Sequence, residues 1–335
     1  MRYIVTGSSG MLGHVLDETL RSLGHERLIP SGRNWKSPST GEIEPDFRDP
    51  VYLRWLEGAN VDVFFHAGAL VGTTRCEAHA EDAWSCNVEA VRRIADILSR
   101  RRIYTVFYAT AAEMEPGEYG LDRPIDVGRT PRNPLTRYGI TKLAGRELME
   151  VLFRERGVEE LLLQVYPSFG FGGARDGNSC VADLLKCALG VYDRRPFLPL
   201  APENIKEVTP HSYIAELSVR AAERRLSGKI PIASGVWTRY AEIVEMVEDV
   251  TGEKLDPEWR ADLDYKGDFL HVREDVFSLA EDLGVPVLTR VEIKAALVDE
   301  MNGILNAEGA GVMANHEWRF AEKLVEAFPG WEGRR

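Results

Sequence analysis

The chain has no surplus of positive charge, few cysteines and no long apolar run, and each lack closes off a class of protein. Lys and Arg number 41 against 53 Asp and Glu, for a formal net charge of -12. Proteins that work by neutralising phosphate backbones carry a basic footprint, so nucleic acid is not an expected partner. A small anionic ligand stays open, because a helix N-terminus and a few local cations can hold one inside an acidic protein. The four cysteines, Cys76, Cys86, Cys180 and Cys187, are too few for a disulfide framework and show no CxxC or Cys/His cluster with metal-ligand spacing. His66, His79 and His211 show no such spacing either, so no metal is expected. Nowhere do about 18 apolar residues run together, and Met1-Arg-Tyr-Ile-Val-Thr-Gly7 reads as the start of a strand rather than a leader. The expectation is a cytoplasmic protein with no membrane partner.

What is present is an ordinary globular composition: 335 residues, 44% hydrophobic and 28% charged, enough for one large or two unequal units. Short apolar runs bounded by turn residues begin at Tyr3, Arg27, Val61, Tyr104 and Leu161, and each reads as a buried strand. Helix-length stretches lie among them at Met11 to Leu23, Ala80 to Arg100 and Arg137 to Arg156. Strands alternating with helices predict an α/β fold with a doubly wound parallel sheet and right-handed crossovers. After Val165 the pattern loosens into Pro167-Ser-Phe-Gly-Phe-Gly-Gly, a helical Val181 to Leu189 and a proline-rich Pro196 to Pro202. The expected division is residues 1–165 as the first domain, with some later segments returning to it, and 166–305 as a smaller, mixed α/β substrate lobe. Residues 306–335 read as a helical tail with no assigned role.

Thr6-Gly7-Ser8-Ser9-Gly10-Met11-Leu12-Gly13 follows the first strand and opens the first helix, the setting that a dinucleotide-binding glycine motif requires. In that reading Gly7 makes the tight turn, Gly10 lets backbone approach a pyrophosphate, and Gly13 lets helix pack closely on strand. Ser9, Met11 and Leu12 complete the candidate cofactor contacts of this turn. Where an acidic residue would bind the ribose 2′-hydroxyl of NAD, the chain reads Ser31-Gly32-Arg33. Arg33 can pair with a 2′-phosphate, so between NADP and NAD this favours NADP.

Tyr138-Gly-Ile-Thr-Lys142 opens a helical stretch after Pro134, and residues four apart share one helix face. A phenol with a pKa near 10 is a poor base at neutral pH, and a neighbouring ammonium is the physical means of stabilising its phenolate. By itself the pair also fits a surface helix with a solvated lysine.

Taken with the glycine turn, the pair resembles the extended short-chain dehydrogenase/reductase family, the NAD(P)-dependent nucleotide-sugar epimerases, dehydratases and reductases, over roughly residues 1–300. Asp46-Phe47-Arg48-Asp49 resembles the adenine-contacting segment, and Asp62-Val-Phe-Phe-His66-Ala67-Gly68-Ala69 resembles the strand against the cofactor. Asn87, and Lys206-Glu-Val-Thr-Pro-His211 in the second lobe, are further marks. Cys76-Glu77 with Ala83 and Asn87, and Gly10-Met-Leu-Gly13, look most like the dTDP-4-dehydrorhamnose reductase branch.

The resemblance implies a Rossmann domain that holds the cofactor through Gly7, Ser9, Gly10, Met11, Leu12, Gly13, Arg33, Asp46, Phe47, Ala67, Gly68, Ala69, Tyr138, Lys142 and Tyr166. It implies hydride transfer on a nucleotide-linked sugar, with Tyr138 exchanging the proton, and a homodimer through Ala80 to Arg100 and Arg137 to Arg156. The family's orienting Ser or Thr falls in Tyr108-Ala-Thr110-Ala111-Ala-Glu113, where two registers compete. One places Thr110 on the catalytic position. The other places Ala111 there, with Glu113 where dehydratases carry an acid/base. Thr110 is preferred because the chemistry needs a donor. Gln164 to Gly170 lacks the family's Arg-Pro and substrate-contacting Asn, and Lys206 stands where an Arg often holds nucleotide phosphates. Reduction, epimerisation, dehydration through Glu113 and a non-catalytic cofactor-binding regulatory subunit all stay open.

Overall fold

A computed structural model describes residues 1–30, 45–114, 132–170, 179–198, 201–260 and 275–309. In chain order the first half contains β1 (Arg2–Thr6), α1 (Met11–Ser22), β2 (Glu26–Arg27), α2 (Pro50–Gly58), β3 (Val63–His66), α3 (Thr73–Ala78), α4 (Ala80–Trp84), α5 (Ala90–Arg100), β4 (Tyr104–Thr110), α6 (Arg137–Arg156) and β5 (Glu160–Val165). Then come β6 (Ser168–Phe169), α7 (Cys180–Ala188), β7 (Phe197–Leu198), β8 (Ile205–Glu207), β9 (Thr209–Pro210), α8 (His211–Glu223) and β10 (Gly228–Ile232). The last are β11 (Trp237–Arg239), α9 (Tyr240–Thr251), β12 (Glu258–Trp259), α10 (Asp275–Leu283) and α11 (Arg290–Gly309).

Six strands form one parallel sheet in the order β2-β1-β3-β4-β5-β10, the α/β architecture expected from the alternation of runs. The edge strand β10 was not among the apolar runs picked out. Gly228-Lys-Ile-Pro-Ile has little β signal of its own, and Pro231, which cannot donate a ladder hydrogen bond, is tolerated because the strand lies at an edge. Side chains alternate along β4. Tyr104, Val106 and Tyr108 join the core under α1 and α8, while Phe107 and Ala109 join the core under α2, α5 and α6. A third apolar cluster is built from α7, α9 and α11 with Phe169, Leu198 and Val208.

The expected helix Ala80 to Arg100 is α4 and α5 joined by a π-helical turn at Ser85–Glu89, which places Asn87 against α6. Helix α6 has the expected bounds. The Thr136 hydroxyl caps it by accepting from the Gly139 amide at 3.1 Å, and Gly157 ends it at φ 58°, a left-handed conformation that glycine adopts at no steric cost. Among the described residues no helix is long and apolar enough to cross a membrane.

Candidate active site

The turn after β1 is built for close approach. Gly7 sits at φ 74°, and a Cβ on it would meet the Gly68 Cα at 2.6 Å. A Cβ on Gly13 would fall on the Gly7 carbonyl, closer than the 3.0 Å that real Cβ atoms keep. Gly10 accordingly N-caps α1 with no side chain, and its own amide donates back to the Gly7 carbonyl at 2.9 Å. Helix α1 therefore starts at a residue with no side chain of its own to cap it, with Gly10 exposed and Ser9, Met11 and Leu12 half-buried around it. This lies at the point where the chain leaves β1 for β2 on one side and β3 on the other, the crevice where doubly wound sheets take ligands.

The loop after β3 forms the other wall. The Thr6 hydroxyl accepts from the Gly68 amide at 3.2 Å and lies 2.8 Å from His66 Nδ1. A Cβ on Gly68 would meet the Phe47 ring at 2.5 Å, so Phe47 packs directly against this loop, and its ring meets that of His66 edge-on at 5.4 Å. Asp46, one residue earlier, is taken up by Arg48 at 2.9 Å. Burial pushes the His66 pKa down to about 3, with the Lys142 charge acting the same way. Asn87 fastens the wall in place: its amide oxygen accepts from Leu70 N at 2.8 Å, and its amide nitrogen donates to Leu70 O at 3.0 Å and to the Thr141 hydroxyl at 3.1 Å. Ser31 and Arg33 lie outside the described residues.

Helix α6 brings the tyrosine and lysine to this crevice. Tyr138 is half-buried in its first turn. Lys142 is buried one turn later, donates to the Tyr108 carbonyl at 2.8 Å and lies 4.8 Å from the centre of the Phe107 ring. Burial lowers its pKa, and the Glu113 charge opposes that shift. Thr110 ends β4. Its hydroxyl accepts from the Ala112 amide at 3.3 Å, which leaves the O–H as a donor. Ala111 is buried in the turn that follows. Glu113 is wholly buried, with one oxygen accepting from Thr110 N at 3.3 Å and the other from Arg146 Nε at 2.6 Å. The sequence marks Arg146 only by its position two turns beyond Tyr138 on the same helix face.

After β5, Tyr166 is buried, and its amide donates to Ile232 O at 3.3 Å, tying this segment to β10. Gln164, at the start of the segment that lacks the family's Arg-Pro, donates through Nε2 to Thr110 O. Lys206 is buried, and one of its donors goes to the Tyr240 hydroxyl at 3.0 Å. Beyond the missing Asn, the Ser168 hydroxyl lies 3.0 Å from His211 Nε2, while His211 Nδ1 donates to Gly170 O at 2.8 Å.

A parallel six-stranded sheet, a glycine cradle at its switch point and a buried lysine one turn from a tyrosine are the arrangement of the extended short-chain dehydrogenase/reductase type. The NAD dependent epimerase/dehydratase family matches residues 3–191, and the chain belongs to it. An uncharacterised UDP-glucose epimerase of Bacillus subtilis is 25% identical over 185 residues, 51% of this chain and 57% of that protein. A uronate dehydrogenase of Pseudomonas syringae is 29% identical over 173 residues, 50% of this chain and 60% of that protein. The chain thus spans little more than half the length of these two relatives. The structure of a UDP-glucose 4-epimerase of Thermus thermophilus with NAD superposes at a TM-score of 0.73 over 92% of this chain and 100% of that one, at 17% identity.

Proposed function

We propose that the protein is an oxidoreductase of nucleotide-linked sugars, in which Tyr138 exchanges the proton of the reacting sugar hydroxyl. The observation that carries this reading is the burial of Lys142 against β4, one helical turn from Tyr138, at the end of the sheet that holds the glycine cradle. The close approaches at Gly7, Gly13 and Gly68 leave a cradle that suits the cofactor: Gly7, Ser9, Gly10, Met11, Leu12 and Gly13 would hold its pyrophosphate, Asp46 and Phe47 its adenine, and Ala67, Gly68, Ala69 and Tyr166 the remaining walls. NAD(P), when bound, supplies or accepts the hydride. Ser31 and Arg33 favour NADP, although the relatives compared above include a structure with NAD. Lys142 would stabilise the Tyr138 phenolate by charge and hold the nicotinamide ribose; Thr110 would donate its O–H to the sugar oxygen; Lys206 would hold the nucleotide phosphates.

One observation favours a second reading of the hydroxyl. By the alternation of β4, Thr110 follows Tyr108 toward α1 and α8, whereas Lys142 reaches the strand over Phe107 on the opposite face. On that reading Ala111 occupies the catalytic position and the hydroxyl is missing.

The assembly proposed is a homodimer in a reducing cytoplasm. Trp84, Leu135, Ile140 and Leu148 are exposed on or beside α4 and α6, and Trp84 and Ile140 line a cleft of about 530 Å³ between these helices. A second copy covering these faces buries the patch.

The deciding experiment is turnover of a panel of nucleotide-sugars and 4-keto sugars with NADH and NADPH. Net cofactor consumption marks a reductase or dehydrogenase; sugar conversion without it marks an epimerase where the product keeps the mass of the substrate, and a dehydratase where it has lost water. No turnover of any member, with cofactor bound, would favour a regulatory cofactor-binding subunit.

A further inference from the structure

We infer that Glu113 is a positioning residue rather than an acid or base: through Arg146 it ties the end of β4 to the helix that carries Tyr138 and Lys142. The inference rests on the reading of Tyr138 and Lys142 as the reacting pair.

Neither Glu113 nor Arg146 has any exposed side-chain surface, and their contact at 2.6 Å joins the turn after β4 to the middle of α6. Arg146 stands four residues beyond Lys142 and eight beyond Tyr138, so all three lie along one face of α6. The guanidinium also meets Glu147 at 2.7 Å and Glu150, and Lys229 of β10 reaches Glu150 at 2.7 Å. The network therefore joins the end of β4, the middle of α6 and the edge strand β10. An acid/base carboxyl must take up and release a proton. Glu113 faces a guanidinium that stays protonated throughout the accessible pH range, and its other oxygen accepts from the Thr110 amide, so its oxygens are committed as acceptors.

The same turn presses on α6 where it matters. A Cβ on Gly139, the residue after Tyr138, would strike the Ala112 carbonyl. The turn and the first turn of α6 thus share a contact surface, and Glu113 sets the position of that turn through the Thr110 amide. A displacement on the order of 1 Å between reacting groups lowers a rate about 100-fold.

The test is a double-mutant cycle on the full chain with Glu113→Gln, Arg146→Met and the two combined, reading kcat, KM and cofactor Kd separately. Each single change is expected to lower kcat about 10- to 100-fold while KM and cofactor Kd stay within about twofold, and the double variant to be no slower than the slower single one. A Glu113→Gln protein without detectable turnover beside an Arg146→Met protein of near-normal kcat would overturn the inference in favour of acid/base chemistry. So would losses that multiply in the double variant. Where a single variant fails to fold, the double variant decides, because it strands no charge at the Glu113 position and leaves Glu150 paired with Lys229: measurable turnover supports positioning and none overturns it. If the unmodified protein turns over no substrate, the proposed function fails by itself, and amide hydrogen exchange still judges the link. Glu113→Gln should then speed exchange at Thr110–Met114 and Tyr138–Lys142 together, and acceleration confined to the first segment would overturn it.

Discussion

Lys142 donates to the carbonyl of Tyr108 at 2.8 Å from a position where almost none of its side chain meets water. An ammonium has three donors, and a buried one is retained only where its partners are supplied. One donor is spent on the main chain of β4, which fixes the height of the lysine beside the strand end and leaves the rest for ligand and phenol. Tyr138→Phe should abolish turnover while cofactor Kd changes less than about twofold, because only the exchanging oxygen is removed. Lys142→Ala should weaken cofactor binding and turnover together. Steady-state kinetics with a fluorescence titration of cofactor separates the two, and unchanged affinity in Lys142→Ala would remove the lysine from the cofactor site.

Thr110→Ala reads the register at the end of β4. If the hydroxyl serves the sugar oxygen, kcat should fall about 100-fold, the scale of a lost positioned hydrogen bond. Full activity would assign the catalytic position to Ala111.

The glycine cradle predicts a difference between two helix glycines. A methyl at Gly13 falls on the Gly7 carbonyl, and one at Gly145 falls on the Asn87 carbonyl; both are backbone atoms that cannot swing aside. Each alanine substitution should cost about 1–3 kcal/mol of stability in urea unfolding. Only Gly13→Ala should abolish cofactor binding, because Gly145 packs α6 on the π-helical turn and lies away from the pyrophosphate turn. Saturable cofactor binding by Gly13→Ala at normal affinity would contradict the cradle.

His66 and His211 set an acid sensitivity. Burial holds them at about 3 and about 4, the second despite its bond to Gly170, whereas both titrate near 6.5 when unfolded. The unfolded chain therefore binds more protons as pH falls below 6.5, and folding stability drops through that window by about 1.4 kcal/mol per pH unit for each histidine. Above 6.5 neither contributes. Urea unfolding from pH 7 to pH 5 should show the loss, and His66→Asn should roughly halve its slope; an unchanged slope would mean that His66 is protonated in the folded protein.

Replacing both Trp84 and Ile140 by Glu places charge on the exposed apolar face of α4 and α6. Sedimentation at micromolar concentration should show a dimer for the unmodified protein and a monomer for this variant. A monomer in both cases would count against the assembly.

Much of this protein is written locally in its sequence. The glycine turn, the bounds of α6 and the burial pattern of β1, β3, β4 and β5 depend on neighbours within a few residues, so spacing and periodicity carry them. What spacing cannot carry is contact across the chain. Strand β10 exists because β5 offers it an edge, and its own residues, with Gly228 and Pro231 among five, would not announce it. Glu113 reads in sequence as a candidate catalyst, and only the approach of Arg146, 33 residues away, commits its oxygens. The two residues have no local interaction that patterning can reveal. Whether Thr110 or Ala111 faces the reacting pair likewise depends on how β4 meets its closing turn, and a shift of one residue there exchanges the two faces of the sheet.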